Sequence, residues 1–280
     1  MERALVLQSL GIPFVVEPYG AGCHLVVPAE RAATALAELT KYETENVDWP
    51  PRYDAPPLLS KGKLGAGLYA ALIVLMYPVG RQGFLGYNFW EAGMMKARAV
   101  FDGEWWRAIT ALTLHGGLSH LIGNAVFGMG FALLAAHSLG GGLTWLGFVL
   151  AGSLGNLLNA WLQGPDHNSI GASTGVFGVL ALLAAYEWSR RHTLRYPPMR
   201  RFAPLIGGIA LFGFLGVGGA DSNTDVIAHV TGLVCGGALG ALAAWSDAPS
   251  RLGAQGQRLA AALGAAILAG AWILALGRPV

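Results

Sequence analysis

The apolar positions divide the chain into two zones. From residue 64 onward, seven long apolar stretches recur, at 64–80, 117–138, 143–162, 171–188, 202–219, 225–245 and 257–276. Each is close to the roughly 20 apolar residues that a helix needs to cross a bilayer. Residues 1–60 are patterned differently. "ERALVLQSLGI" reads as a short amphipathic helix, and "PFVVEPY" and "CHLVV" read as strands on either side of a glycine turn. "PAERAATALAELTKYE" predicts a second helix, with Pro28 at a position that suits the first turn. The proline-rich "NVDWPPRYDAPP" reads as a linker. The expected organisation is a small α+β domain and linker over 1–60, a six-helix transmembrane core over 61–245, and a linker with a seventh helix over 246–280.

Composition agrees with a membrane protein. Only 12% of the 280 residues are charged and 54% are hydrophobic, against a charged share of about 25% in soluble domains. The net charge of +2 gives no reason to expect a nucleic-acid partner. "MERALVLQSLGIPF" lacks the basic start and long apolar core of a signal peptide. Cys23 lies in the polar N-terminal zone and Cys235 in an apolar run, so no disulfide is expected between them. Lys61 and Lys63, the five arginines of "SRRHTLRYPPMRR" (189–201), and Arg251 with Arg258 all fall on one side if the spans alternate. The positive-inside rule makes that side the cytoplasm, N-terminal domain included. Asp221 and Asp225 fall on the opposite side. The segment 81–107 departs from the bias, with Arg81, Lys96, Arg98 and Arg107 outside.

Polar residues inside apolar spans change the picture further. His120 and Asn124 lie near the start of the second span, Ser173 near the start of the fourth and His229 near the start of the sixth. All three spans run inward, so these side chains share a depth near the outer surface. Polar residues within spans usually face the bundle interior and mark function. His120 and Asn124 are four apart and share a face, which Phe127 and Phe131 continue. His229 shares a stripe with Gly232, Gly236 and Gly240, and such small residues admit close helix approach. Ser173 and Phe177 share one face of the fourth span, with Gly171, Gly175 and Gly178 opposite. That span therefore reads as central, with Ser173 and His229 able to meet across a tight contact. By itself Ser173 would be a helix-capping serine. Beside a histidine it becomes a candidate nucleophile, because a serine hydroxyl needs a base to take its proton. The Ser173 backbone N–H, His120 and Asn124 are candidate donors to an oxyanion. No intramembrane aspartate is placed to complete a triad, so a Ser–His dyad is the simplest reading.

Four motifs, in this order, resemble the rhomboid family of intramembrane serine proteases over roughly 60–245. They are "GEWWRAIT" (103–110), with Trp106 and Arg107; "HGGLSHLIGN" (115–124); "GASTG" (171–175); and "AHVTGLVCG" (228–236). The resemblance implies an all-α polytopic membrane fold, a rhomboid-like six-helix bundle plus one extra C-terminal helix. The small α+β cytosolic domain expected before it lies outside the resemblance and rests on the patterning of residues 1–60 alone. It implies Ser173 as nucleophile, His229 as general base, and His120 and Asn124 as oxyanion support. Phe177 takes the aromatic position that packs against the base. Gly171, Gly232, Gly236, Trp106, Arg107 and His115 are expected to be structural. Thr174 stands where many members have glycine.

The function expected is proteolysis of single-span membrane proteins at the outer boundary of a lipid bilayer, in a bacterial inner membrane. No metal or organic cofactor is implied, since the His and Asn residues lack a zinc-ligand pattern. Two other classes compete. A non-catalytic rhomboid-like binder would lack the serine or the base, and both are present. A transporter or channel would use charged pathway residues and often internal repeats. In spans two to six the only acidic residues are Glu187 and Asp225, both at span ends.

Overall fold

A computed structural model of the chain describes residues 2–20, 22–47, 59–194, 196–217 and 224–278. The expected linker from Asp48 onward, Arg195, Asp221 and the 218–219 end of the fifth span lie outside the described residues. The chain forms two compact units, 1–57 and 58–280.

In the first unit, α1 (Glu2–Ser9) leads to an antiparallel hairpin of β1 (Val15–Tyr19) and β2 (Gly22–Val26), followed by α2 (Ala29–Glu45). Val15 pairs with Val26 and Tyr19 with Gly22. Leu7, Ile12 and Ala35 form its small core, with Phe14, Leu25, Val27 and Leu39 packed against them. Pro28 caps α2 from just outside the helix, where its missing N–H costs nothing.

The second unit is a helical bundle. It opens with α3 (Lys63–Gln82), then a stretch of short pieces on the way to the next long helix: α4 (Phe89–Gly93), β3 (Met95–Lys96), α5 (Ala97–Phe101) and α6 (Arg107–Thr110). The long helices α7 (Leu118–Leu139) and α8 (Gly141–Gln163) follow, then β4 (Asn168–Ser169), α9 (Ser173–Thr193), α10 (Pro198–Leu215), α11 (Val226–Trp245), the short α12 (Ala248–Arg251) and α13 (Gly253–Leu276). Seven long helices thus occupy the seven apolar stretches. Among the described residues, α3, α7, α8, α11 and α13 are long and apolar enough to cross a membrane. The other two have shorter apolar runs, because α9 ends on Glu187, Arg190 and Arg191 and α10 opens on Arg200 and Arg201. The fifth span stops at Leu215 rather than 219, where a glycine-rich sequence with poor helix propensity begins.

Glycine sets the centre of the bundle. A Cβ on Gly232 of α11 would run into the carbonyl of Thr174 on α9; one on Gly236 would meet that of Gly178, and one on Gly240 that of Leu182. Three pairs, each one helical turn on from the last, put the α9 and α11 backbones in direct contact. On its other side α9 meets α8, where Gly175 faces the Phe148 ring and Gly178 faces Ala151. The fourth span is therefore central, flanked by α8 and α11. The last helix belongs to the bundle as well. Gln257 of α13 accepts from the N–H groups of Gly142 (2.9 Å) and Leu143 (3.0 Å) and donates to the Leu139 carbonyl (2.8 Å). One side chain thereby satisfies orphan groups at the end of α7 and the start of α8. At its far end, the Trp272 indole fills the space left by Gly93.

The seam makes a stability prediction. Gly236→Val forces α11 away from α9 and should cost on the order of 2 kcal/mol or more, by the overpacking range. Gly237, whose Cβ would meet nothing within 4 Å, is the control. Thermal unfolding in detergent should show a clear drop for Gly236→Val and none for Gly237→Ala.

Candidate active site

Ser173 is the first residue of α9 and is half-exposed at the start of a buried run. The chain before it is held from outside. β3 pairs antiparallel with β4, Met95 with Ser169 and Lys96 with Asn168. The Ala97 N–H donates to His167 O (2.9 Å) and the Gly171 N–H to Ala111 O (3.0 Å). Gly171 has φ +125°, a backbone that excludes it from the helix, so α9 begins at Ser173 and not at 171. The helical face assigned to Gly171 from the sequence therefore does not exist. Val176 N–H bonds Ala172 O at 2.9 Å, which leaves the N–H groups of Ser173, Thr174 and Gly175 without intrahelical acceptors.

The missing Cβ of Gly171 lets the His120 ring close in beside Ser173. A Cβ there would lie 2.7 Å from His120 Nε2 and 3.7 Å from Ser173 Oγ. His120, in the first turn of α7, meets the His115 ring edge-on, with centroids 5.1 Å apart. His115 Nε2 accepts the Ala172 N–H at 3.4 Å, tying the segment before α7 to the turn before Ser173. Its proton therefore sits on Nδ1, which is buried and has no hydrogen-bond partner. Burial, and next to it the neighbouring His120, lower the His115 pKa to about 3. Asn124 is buried one turn deeper. Its Nδ2 donates to His120 O (3.0 Å), and its own carbonyl accepts the Tyr69 hydroxyl (2.9 Å).

His229 lies buried in the first turn of α11. Its ring rests against Phe177, centroids 4.6 Å apart, and Phe177 is one turn beyond Ser173 on the same face of α9. Phe212 of α10 meets Phe177 edge-on at 5.7 Å. His229 Nδ1 lies 2.7 Å from the carbonyl oxygen of Gly216. Among the described residues, Ser173 Oγ and His229 are not hydrogen-bonded to each other; such bonds commonly tighten only with substrate in place.

Trp106 and Arg107 lie away from this cluster. The buried Arg107 donates from Nη1 to the carbonyls of Glu91 (2.7 Å) and Met94 (3.0 Å) and pairs with Glu104. The Arg278 guanidinium sits over the Trp106 ring, 4.7 Å from its centroid. A second polar cluster escaped the sequence reading. Asp225 caps α11 by accepting the Ala228 N–H (3.0 Å), and also accepts from Asn159 Nδ2 (2.8 Å) and Gln163 Nε2 (3.0 Å). His167 Nε2 lies 2.8 Å from the same carboxylate. From the sequence, Asp225 is a span end, His167 a surface residue and Asn159 helix–helix glue. The signal that was available is an aspartate one residue before a helix start, the N-cap pattern.

A family model described as the Rhomboid domain matches residues 102–246, just over half of the chain. The chain belongs to the rhomboid family. The matched stretch holds α7 to α11, and with them His120, His229 and Ser173. Among curated proteins, this rhomboid is 30% identical over 140 residues to YdcA of Bacillus subtilis, covering 50% of this chain and 67% of that protein. It is 31% identical over 171 residues to the Rhomboid protease GluP of the same bacterium, covering 61% of this chain but only 32% of GluP. Inactive rhomboid protein 1 of Drosophila melanogaster is 27% identical over 132 residues, 47% of this chain and 9% of that protein. An integral membrane protein follows from the family and from the apolar helices.

The neutral His115 makes stability depend on pH with a definite sign. An exposed histidine takes up its proton near pH 6.5, whereas the folded chain resists protonation until about pH 3. The unfolded state therefore binds more protons between these values. This contribution is fully present above about pH 6.5 and is lost progressively as pH falls toward 3. Thermal melts from pH 7 to pH 5 should fall steadily, and His115→Gln, which cannot titrate, should flatten that slope.

Proposed function

We propose that this rhomboid is an intramembrane serine endopeptidase that cuts single-span membrane proteins near the outer face of a bacterial inner membrane, with its own N-terminus in the cytoplasm. The observation that carries the reading is the glycine seam between α9 and α11, which brings the His229 ring against Phe177, one turn from Ser173. The Ser173 hydroxyl attacks the carbonyl carbon of the scissile peptide, and His229 Nε2 takes its proton. The negative oxygen of the tetrahedral intermediate faces the uncommitted N–H of Ser173, with His120 and Asn124 as further donors. As the C–N bond breaks, His229 returns the proton to the leaving amine, leaving an acyl-enzyme. Water then attacks this ester with His229 again as base, and Ser173 regains its proton. Trp106, Arg107 and His115 hold the outer segments, and Gly171, Gly232 and Gly236 provide the close approaches.

Membership alone does not decide activity, since an inactive rhomboid is among the relatives. Labelling of the purified protein by a fluorophosphonate probe tests it. Wild type should label, Ser173→Ala should not, and His229→Ala should label slower by on the order of 10³-fold or more, as for other serine hydrolases. Equal labelling of wild type and Ser173→Ala would sink the assignment. An unlabelled wild type that still binds single-span proteins would favour a non-catalytic binder.

A further inference from the structure

We infer that the backbone carbonyl of Gly216, at the end of α10, does for His229 what a carboxylate does in a catalytic triad: it fixes the tautomer of the base. The inference rests on the serine protease reading above.

A carbonyl oxygen only accepts hydrogen bonds. At 2.7 Å from Gly216 O, His229 Nδ1 must therefore carry the proton. In neutral imidazole the other nitrogen, Nε2, is then the acceptor. That is the protonation state a general base for serine requires, and the opposite tautomer is unable to take the Ser173 proton.

The acid closest in sequence is committed elsewhere. Asp225 stands four residues before His229, but its oxygens are taken up by Ala228 N–H, Asn159, Gln163 and His167. The Gly216 carbonyl, by contrast, sits at the C-cap of α10, where helix carbonyls lack intrahelical donors and carry the negative end of the helix dipole. It is well placed to meet the imidazolium that forms during acylation. The ring is also held on its face, through Phe177 and then Phe212. Gly216 itself has an ordinary φ of −89°. Its lack of a side chain serves space: a Cβ would fall 2.5 Å from the Phe212 ring. Gly216 and Phe212 are thus positioning residues, acting through His229.

Two measurements test this. The first is ¹⁵N NMR of the histidine-labelled protein, with His229→Ala to assign the signals. It should report His229 protonated at Nδ1 at neutral pH. A spectrum with the proton on Nε2 overturns the proposal. This readout needs no activity, so it stands apart from the labelling of Ser173 that tests the protease reading. The second replaces the 216–217 amide by an ester, using an α-hydroxy acid at position 217. The Gly216 carbonyl remains but becomes a weaker acceptor. On a single-span substrate that wild type cleaves, kcat should fall about tenfold or more, with KM changed less than twofold and an unaltered melting temperature. An unchanged kcat, or a loss carried entirely by KM, overturns it.

Discussion

The bundle is organised around a place where two helices touch through their backbones. Between α9 and α11 there are no intervening side chains at Gly232, Gly236 and Gly240, only the carbonyls of Thr174, Gly178 and Leu182. In a bilayer the hydrophobic effect does not drive helices together, so packing and hydrogen bonding must. A seam of this kind has a single register: a shift of one residue would put Thr231, Cys235 and Leu239, or Leu233 and Ala241, against a carbonyl. It therefore fixes the height of His229 against α9, and with it the contact to Phe177. Everything else near the candidate site adjusts around that fixed pair.

Polar groups around the seam follow the accounting that a low-dielectric interior demands. His120 and His115 sit on the outer side, tied through Ala172 to the turn before Ser173. Asn124 is tied back to His120 O, and Tyr69 to Asn124 O. Asp225 takes donors from three parts of the chain: α8, the segment before β4 and its own helix. The start of α11 is thus clamped by a carboxylate one turn before the histidine, and the histidine is bonded to α10. His115 Nδ1 and, on α8, Asn156 Oδ1 are exceptions, buried without a partner. Acid should loosen the fold because a second proton on the buried His115 ring would have to displace the Ala172 N–H from Nε2.

Much of this was readable from residue types and spacing, and the unread part has a physical reason. Apolar runs gave the seven long helices, and the hairpin of the first unit followed from strands around a glycine turn. The seam was legible because glycines four apart leave a mark in the sequence. The start of α9 was misplaced because the decisive fact is a torsion angle, Gly171 at φ +125°, which residue type only permits. The β3–β4 ladder is two residues long on each strand, too short for any alternating pattern. The partner of His229 was invisible for a different reason. A carbonyl belongs to every residue, so nothing about Gly216 singles it out. Asp225 carried a signal, but its four partners lie 3 to 66 positions away and only folding brings them together.

The bridge made by Gln257 has a consequence for the order in which the bundle is completed. The turn between α7 and α8 spans residues 139–143, yet its amides and carbonyl are satisfied by a side chain more than a hundred residues later. A chain made from its N-terminus inserts that turn long before its partner exists. The turn must therefore wait, hydrated or loosely held, until α13 leaves the ribosome. The same late helix brings Trp272 to Gly93 and Arg278 to Trp106 near the opposite end of the bundle. Residues 102–246 match the family model, but closure at both ends of the bundle belongs to a helix synthesised after them.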